Sequence, residues 1–143
     1  MLNMRPADSS AHRPIRCLLG MLGTDVHSKG IRTLAQMLRD RGIEVIYVGE
    51  HNTCEGMTQA VIAEDAQLVG LSFSSSNYLD YTQQLIETMT EHGVGEVPIM
   101  LGGLIHPDDE AALADMGVAG IFGPGSEIDA IMAFIHATCR QGP

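Results

Sequence analysis

The residues of this 143-residue chain best suited to chemistry lie near its start, in Asp25-Val26-His27-Ser28-Lys29-Gly30. Residues two apart in extended chain point the same way, so the Asp25 carboxylate and the His27 imidazole can lie side by side. A carboxylate that accepts a hydrogen bond from one imidazole nitrogen fixes the tautomer and raises the basicity of the other nitrogen. That is the usual support of a metal-bound histidine. Gly30 has no side chain and would let a large flat ligand approach the start of a helix. The same residues also suit a plainer arrangement, in which Asp25 caps a helix and His27 is an ordinary loop histidine. D-x-H-x-x-G is a short pattern and does not choose between the two. The remaining histidines carry less. His12 and His136 are near the termini, His92 is near a helix end and His106 precedes Pro107, so all four read as solvated. His51 could line a cleft, but no partner for it can be named.

Whatever this segment does depends on the elements that hold it. Five short apolar runs, Ile15–Met21, Glu44–Val48, Gln67–Ser72, Pro98–Gly102 and Ala119–Phe122, are too short for helices. Most are rich in β-branched or aliphatic residues, as buried parallel strands are. Helix-like stretches follow each run. Ile31, Leu34, Ala35 and Leu38 share one face after Gly30, and Gly42 stops that helix. The second spans about Glu55–Glu64, with Thr53 as N-cap and Met57, Ala60 and Val61 facing inward. Tyr78, Tyr81, Leu85, Ile86 and Met89 share a face in the third, before Gly93. The fourth opens with Pro107 and the acidic Asp108, Asp109 and Glu110, which suit the positive end of the helix dipole, and Gly117 closes it. The fifth opens with Ser126, with Asp129 three residues on. The nine methionines fall mostly at core positions and read as core filler.

Alternating strands and helices in one domain imply a parallel sheet wrapped on both faces. The expected architecture is an α/β, flavodoxin-like domain with five strands in the order 2-1-3-4-5. Ligands of such sheets bind outside the carboxyl ends of the strands, where strand order reverses, here between strands one and three. The loop with Asp25, His27 and Gly30 follows strand one, and strand three ends in Ser72-Phe73-Ser74-Ser75-Ser76. Gly102-Gly103 follows strand four and Gly123-Pro124-Gly125 follows strand five. The small and polar residues therefore collect on one edge of the sheet. His51, Asn52 and Thr53 share that edge, farther from the reversal.

Eighteen acidic against eight basic side chains give a formal charge of −10, a surface that repels nucleic-acid phosphates and anionic lipids. Neither nucleic acid nor membrane is expected as a partner. No apolar run is long enough for a bilayer span, and no signal-peptide core is visible. Three cysteines, Cys17, Cys54 and Cys139, make no even framework and suit a reducing cytoplasm. The expected organisation is a loose arm over residues 1–13, one domain over 14–138 and a short tail over 139–143.

The order D-x-H-x-x-G, then serine at the end of strand three, then G-G after strand four, resembles the cobalamin-binding domain of the methylmalonyl-CoA mutase family. The resemblance covers about residues 14–138, and Ile121-Phe122-Gly123-Pro124-Gly125 also looks like that family. It implies that His27 replaces the cofactor's own dimethylbenzimidazole as lower cobalt ligand, with Asp25 bonded to His27. The detached nucleotide tail would enter a slot between sheet and helices. Gly30 would admit it, Ser72 would bond its base, and Gly102 and Gly103 would line the slot. Val26, Ser28, Lys29, Ser74, Phe122, Gly123, Pro124 and Gly125 complete the implied cofactor site. Val26 stands where the family often has glycine, Ser28 where it usually has an acidic residue, and Ser74 where S-x-L has leucine.

What the resemblance implies about activity is division of labour. A substrate-binding barrel alone takes about 250 residues. The chain is therefore expected to be the small, cofactor-binding subunit of an adenosylcobalamin-dependent acyl-CoA mutase, with no catalytic residue of its own and a larger substrate-binding partner. Other readings are a corrinoid carrier for methyl transfer, a B12-responsive regulator, or a degenerate module that binds only protein. The first two usually carry a helical bundle before this domain, whereas only fourteen residues precede the first strand here. A phosphorylatable receiver domain shares the expected fold. It needs an aspartate ending strand three and a lysine ending strand five, where this chain has Ser72 and the Gly123-Pro124 turn.

Overall fold

A computed structural model describes residues 13–23 and 28–139. Five strands alternate with five helices: β1 (Arg16–Gly20), α1 (Lys29–Asp40), β2 (Glu44–Tyr47), α2 (Cys54–Glu64), β3 (Leu68–Phe73), α3 (Tyr78–Glu91), β4 (Ile99–Gly103), α4 (Glu110–Met116), β5 (Gly120–Phe122) and α5 (Ile128–Thr138). All strand pairs are parallel, and the order is β2-β1-β3-β4-β5, as the alternation predicts. The first crossover moves one way along the sheet and the next three move the other way. Right-handed connections therefore put α1 on one face and α2, α3 and α4 on the opposite one. α5, which follows the last strand, joins α1.

The strands serve both faces by alternation. Cys17, Leu19 and Met21 are buried with Ile31, Ala35 and Leu38 of α1 and with Ile131, Met132 and Ile135 of α5. Leu18, Val69, Leu71 and Phe73 pack against Met57 and Val61 of α2, Leu85 and Met89 of α3, and Leu113 of α4. The helix stops also follow local chemistry. Thr53 Oγ1 accepts from the Gly56 amide at 2.9 Å, so Thr53 is the N-cap expected for α2. Gly117 ends α4 with φ +111°, a conformation that favours glycine.

Several local details differ from the expectations, each for a tertiary reason. The buried face of α3 is Tyr78, Thr82, Leu85 and Met89, while Tyr81 and Ile86 are only half-buried. α2 buries Thr58 more deeply than Ala60, and the Thr58 hydroxyl donates to the Cys54 carbonyl at 2.8 Å. α2 and α3 lie against each other, and two threonines fill that contact. Pro107 opens a 3-10 turn over Pro107–Asp109 rather than α4 itself. Exposed His106 caps that turn, its Nδ1 accepting from the Asp108 amide at 3.1 Å. Ser126 does not open α5, whose N-cap is Glu127. Its hydroxyl instead donates to the Gly123 carbonyl at 2.8 Å and closes the turn after β5.

Among the described residues no helix is long and apolar enough to cross a membrane. Cys17 and Cys139 are buried thiols and Cys54 is half-buried, all three free. Burial raises the pKa of each, most strongly for Cys17, where Cys139 adds a further upward push.

Thr82 Oγ1 is fully buried and has no hydrogen-bond partner. Thr82→Val keeps the shape and removes that polar atom, so it is expected to stabilise the fold by about 1 kcal/mol. Thermal unfolding followed by circular dichroism should show a Tm a few degrees higher. A lower Tm would mean that the hydroxyl stabilises the helix contact.

Candidate functional site

The two faces of the sheet are not equally filled. On the α2–α4 side, β3 presents Val69, Leu71 and Phe73, each buried against helices. On the α1–α5 side the side chains of β3 shrink toward the carboxyl end, from Leu68 through Gly70 to Ser72. β4 does the same, from Met100 to Gly102, and pairs in register with Gly70 and Ser72. With so little side-chain volume beneath them, α1 and α5 cannot close on the sheet at this end. A cavity of about 580 Å³ remains.

Its floor is Leu19, Gly70, Ser72, Met100, Gly102 and Phe122, and its walls are Gly30, Thr33, Leu34 and Met37 of α1 with Ile128 and Ile131 of α5. Ser74, Gly103 and Leu104 line it from the loops after β3 and β4, and Gly123 to Ser126 from the loop after β5. Lys29, in the first turn of α1, is the one charged residue lining it among the described residues. The lining is otherwise apolar or small, the usual make-up of a site for an organic group, and the volume lies within the ordinary range for such sites.

The structure brings together most of the residues singled out in the sequence. Lys29, Gly30, Ser72, Ser74, Gly102, Gly103, Phe122, Gly123, Pro124 and Gly125 line one cavity. Asp25, Val26 and His27 lie outside the described residues. Ser28 is buried as the N-cap residue of α1, makes no side-chain cap bond and does not line the cavity. Among the described residues no group of three or more His, Cys, Asp or Glu could hold a metal ion, so none offers a ready-made cage.

Two glycines divide the work at the cavity. A Cβ on Gly103 would run into the Phe73 carbonyl, and its φ is +95°, so the backbone admits nothing larger. Among the described residues a Cβ on Gly30 would meet nothing within 4 Å beyond its own helix backbone and chain neighbours. Packing among the described residues does not require glycine there. Gly70 was missed in the sequence, although a lone glycine inside an apolar strand marks close approach of something else. A Cβ there would press on the ends of Leu19 and Met100, both part of the floor. Leu34, Met37 and Ile128 were also missed as lining, since their apolar character is equally that of core.

The loops around the cavity mouth are firmly held. Leu104 N donates to the Phe73 carbonyl at 2.8 Å. The buried Tyr78 hydroxyl donates to Asp109 Oδ2 at 2.5 Å and accepts from the His106 amide at 3.0 Å. The Asp109 carboxylate raises the phenol pKa above its ordinary value, opposed by the His106 amide. Leu104 remains 59% exposed at this rim, the most exposed large apolar side chain among the described residues.

A doubly wound parallel domain with an apolar slot beside its strand-order reversal is the architecture of a nucleotide- or cofactor-binding domain. The sequence model of the B12 binding domain matches residues 15–133, and the chain belongs to that family. It is 34% identical over 125 residues to the pivalyl-CoA mutase small subunit of Xanthobacter autotrophicus, covering 87% of this chain and 84% of that protein. It is also 34% identical over 128 residues to the 2-hydroxyisobutanoyl-CoA mutase small subunit of Aquincola tertiaricarbonis, covering 87% and 94%. A crystal structure of a cobalamin-binding protein from Desulfitobacterium hafniense superposes with a TM-score of 0.72 at 18% identity, over 85% of this chain and 60% of that one. That last likeness is one of fold.

The glycines make separable predictions. Gly30→Leu should leave Tm unchanged or slightly higher, since leucine is the better helix former, yet weaken cobalamin binding at least about tenfold, or about 1.4 kcal/mol. Gly103→Ala should instead cost roughly 2 kcal/mol of stability or more, through its left-handed backbone and the clash of the new Cβ with the Phe73 carbonyl. Calorimetric melting and cobalamin titration of both variants check the pair. Equal affinity in Gly30→Leu and wild type would remove Gly30 from the site.

Proposed function

We propose that this chain is the small, cobalamin-binding subunit of a B12-dependent acyl-CoA mutase. The observation that carries the reading is the slot itself. Small residues on one face of β3 and β4 keep α1 and α5 off the sheet beside the loop that bears Asp25 and His27. The match over nearly the full length of two mutase small subunits supports it.

In this reading His27 would hold the cobalt in place of the cofactor's own dimethylbenzimidazole. Asp25 accepts a hydrogen bond from the other imidazole nitrogen, which fixes the tautomer and strengthens the donor. The nucleotide tail lies in the slot, admitted by Gly30, with Ser72 bonding the base and Gly102 and Gly103 beneath it. Ser74, Phe122, Gly123, Pro124 and Gly125 enclose the rest, and Lys29 is the charge available to the tail's phosphate. Val26 and Ser28 flank His27.

The adenosyl form is the one suited to carbon-skeleton rearrangement, because its cobalt–carbon bond supplies a radical on homolysis. This chain's own residues bind and orient. They would hold the detached base in the slot and present one imidazole to the metal, while a larger subunit would hold the acyl-CoA. The acidic surface is a poor match for nucleic-acid phosphates and anionic lipids, and the three free cysteines suit a reducing cytoplasm.

Adenosylcobalamin added to the purified chain should shift to the absorbance spectrum of a base-off, histidine-on cofactor, and His27→Ala should abolish the shift. The chain alone should show no mutase turnover with any acyl-CoA. Identical spectra for wild type and His27→Ala would rule out the assigned ligand, and turnover without a partner would rule out the division of labour.

A further inference from the structure

The β2–α2 loop shares the edge of the sheet with the slot but contributes nothing to its lining. It is nonetheless the most heavily cross-tied loop described. Asn52 carries the ties. Its side-chain nitrogen donates to the carbonyls of Gly49 at 2.8 Å and Met21 at 3.0 Å, with Val48 at 3.4 Å sharing the same two hydrogens. Its backbone amide donates to the Met21 carbonyl at 3.1 Å, and its own carbonyl accepts from Gly23 N at 3.0 Å. Met21 N in turn donates to the Gly49 carbonyl at 2.9 Å. Leu22 and Asn52 thus form an isolated parallel bridge beyond the end of β1.

Two unusual backbone conformations make this possible. Gly49 at φ +77° and His51 at φ +64° are both left-handed, and the latter is disfavoured for a side-chain-bearing residue. Strain at a non-glycine residue persists where the surroundings hold it, and here what it secures is the placement of the Asn52 amide. On the other side, Gly23 has φ +73° and no room for a Cβ beside the Tyr81 hydroxyl. Met21 to Gly23 is therefore gripped from two directions, immediately before the stretch that carries Asp25 and His27.

We infer that Asn52 is a positioning residue for cofactor binding, fixing where the chain leaves β1 at the start of the loop that carries His27 in sequence. The inference rests on the cobalamin-binding reading above. The asparagine touches no lining residue's function directly, so its loss should act on coordination geometry more than on the slot. Groups that orient a metal-binding histidine from behind typically change metal affinity by about ten- to a hundredfold when removed.

Asn52→Asp is isosteric but sets a carboxylate against three carbonyl oxygens, and Asn52→Ala simply deletes the bonds. Each is titrated with adenosylcobalamin in the full chain, read by absorbance for base-off, histidine-on coordination and by melting for stability. Leu113→Ala, a core truncation in α4, is the control for lost stability alone. The expected result is at least about tenfold weaker binding and loss of the histidine-on spectrum in both Asn52 variants, with Leu113→Ala keeping the wild-type spectrum. Should Asn52→Asp fail to fold, Asn52→Ala gives the same reading. Wild-type spectrum and affinity in the folded Asn52 variants would overturn the role of Asn52 and leave the cofactor reading intact. Parallel losses in Leu113→Ala would overturn it as well, by making the effect one of stability. A wild type that never shows histidine coordination overturns both.

Discussion

On one face of the sheet, volume is withheld. A doubly wound sheet is stable because helices bury both of its faces, and on the α2–α4 side Val69, Leu71, Phe73 and Leu101 do so completely. On the other side Gly70, Ser72 and Gly102 leave the helices without contact near the carboxyl ends of β3 and β4. Unfilled apolar volume costs stability, roughly in proportion to its size. α1 and α5 are held at their far ends by Leu38, Ile135 and the strand residues Ile15 and Cys17, and this firm packing allows the opening at the other end. An exposed ion pair between Arg41 and Asp129, 2.7 Å apart, also joins the two walls, and such a pair adds little.

That asymmetry determines what the edge loops must do. A ligand entering between sheet and helices meets loops rather than regular structure, and loops hold a geometry only when their backbone groups are satisfied. Here they are tied to one another in pairs. Asn52 joins the loops after β1 and β2, while Leu104 N and the Tyr78 hydroxyl join the loops after β3 and β4. The Ser126 hydroxyl closes the turn after β5 onto Gly123. Bonds of this kind order the site in advance and reduce the entropy lost on binding.

The same asymmetry separates core from cavity within this B12-binding domain. Among the described residues the core is complete on one face, and the slot is cut into the other. The described lining of the slot offers one lysine, a few hydroxyls and otherwise apolar surface. The chain is built to hold a large cofactor still.

Much of this was written locally. Strand runs and helix faces follow from residue period, the crossover hand sets which face each helix takes, and Thr53, Gly42 and Gly117 mark helix ends by their own backbone chemistry. Those local signals also sufficed to gather Gly30, Ser72, Gly102, Gly103 and the Gly123-Pro124-Gly125 turn onto one edge. Other features were decided only by tertiary contact. Thr82 and Thr58 are buried because two helices meet there, although threonine alone predicts a surface. Leu34, Met37 and Gly70 line a slot rather than fill a core, a distinction that depends on what lies opposite them. Asn52 reads as a loop residue until the Met21 carbonyl is seen 3.0 Å from its amide, across 31 positions of sequence. Residue type and period record what one segment prefers, whereas cavities and long-range hydrogen bonds belong to pairs of segments and exist only once the chain has brought them together.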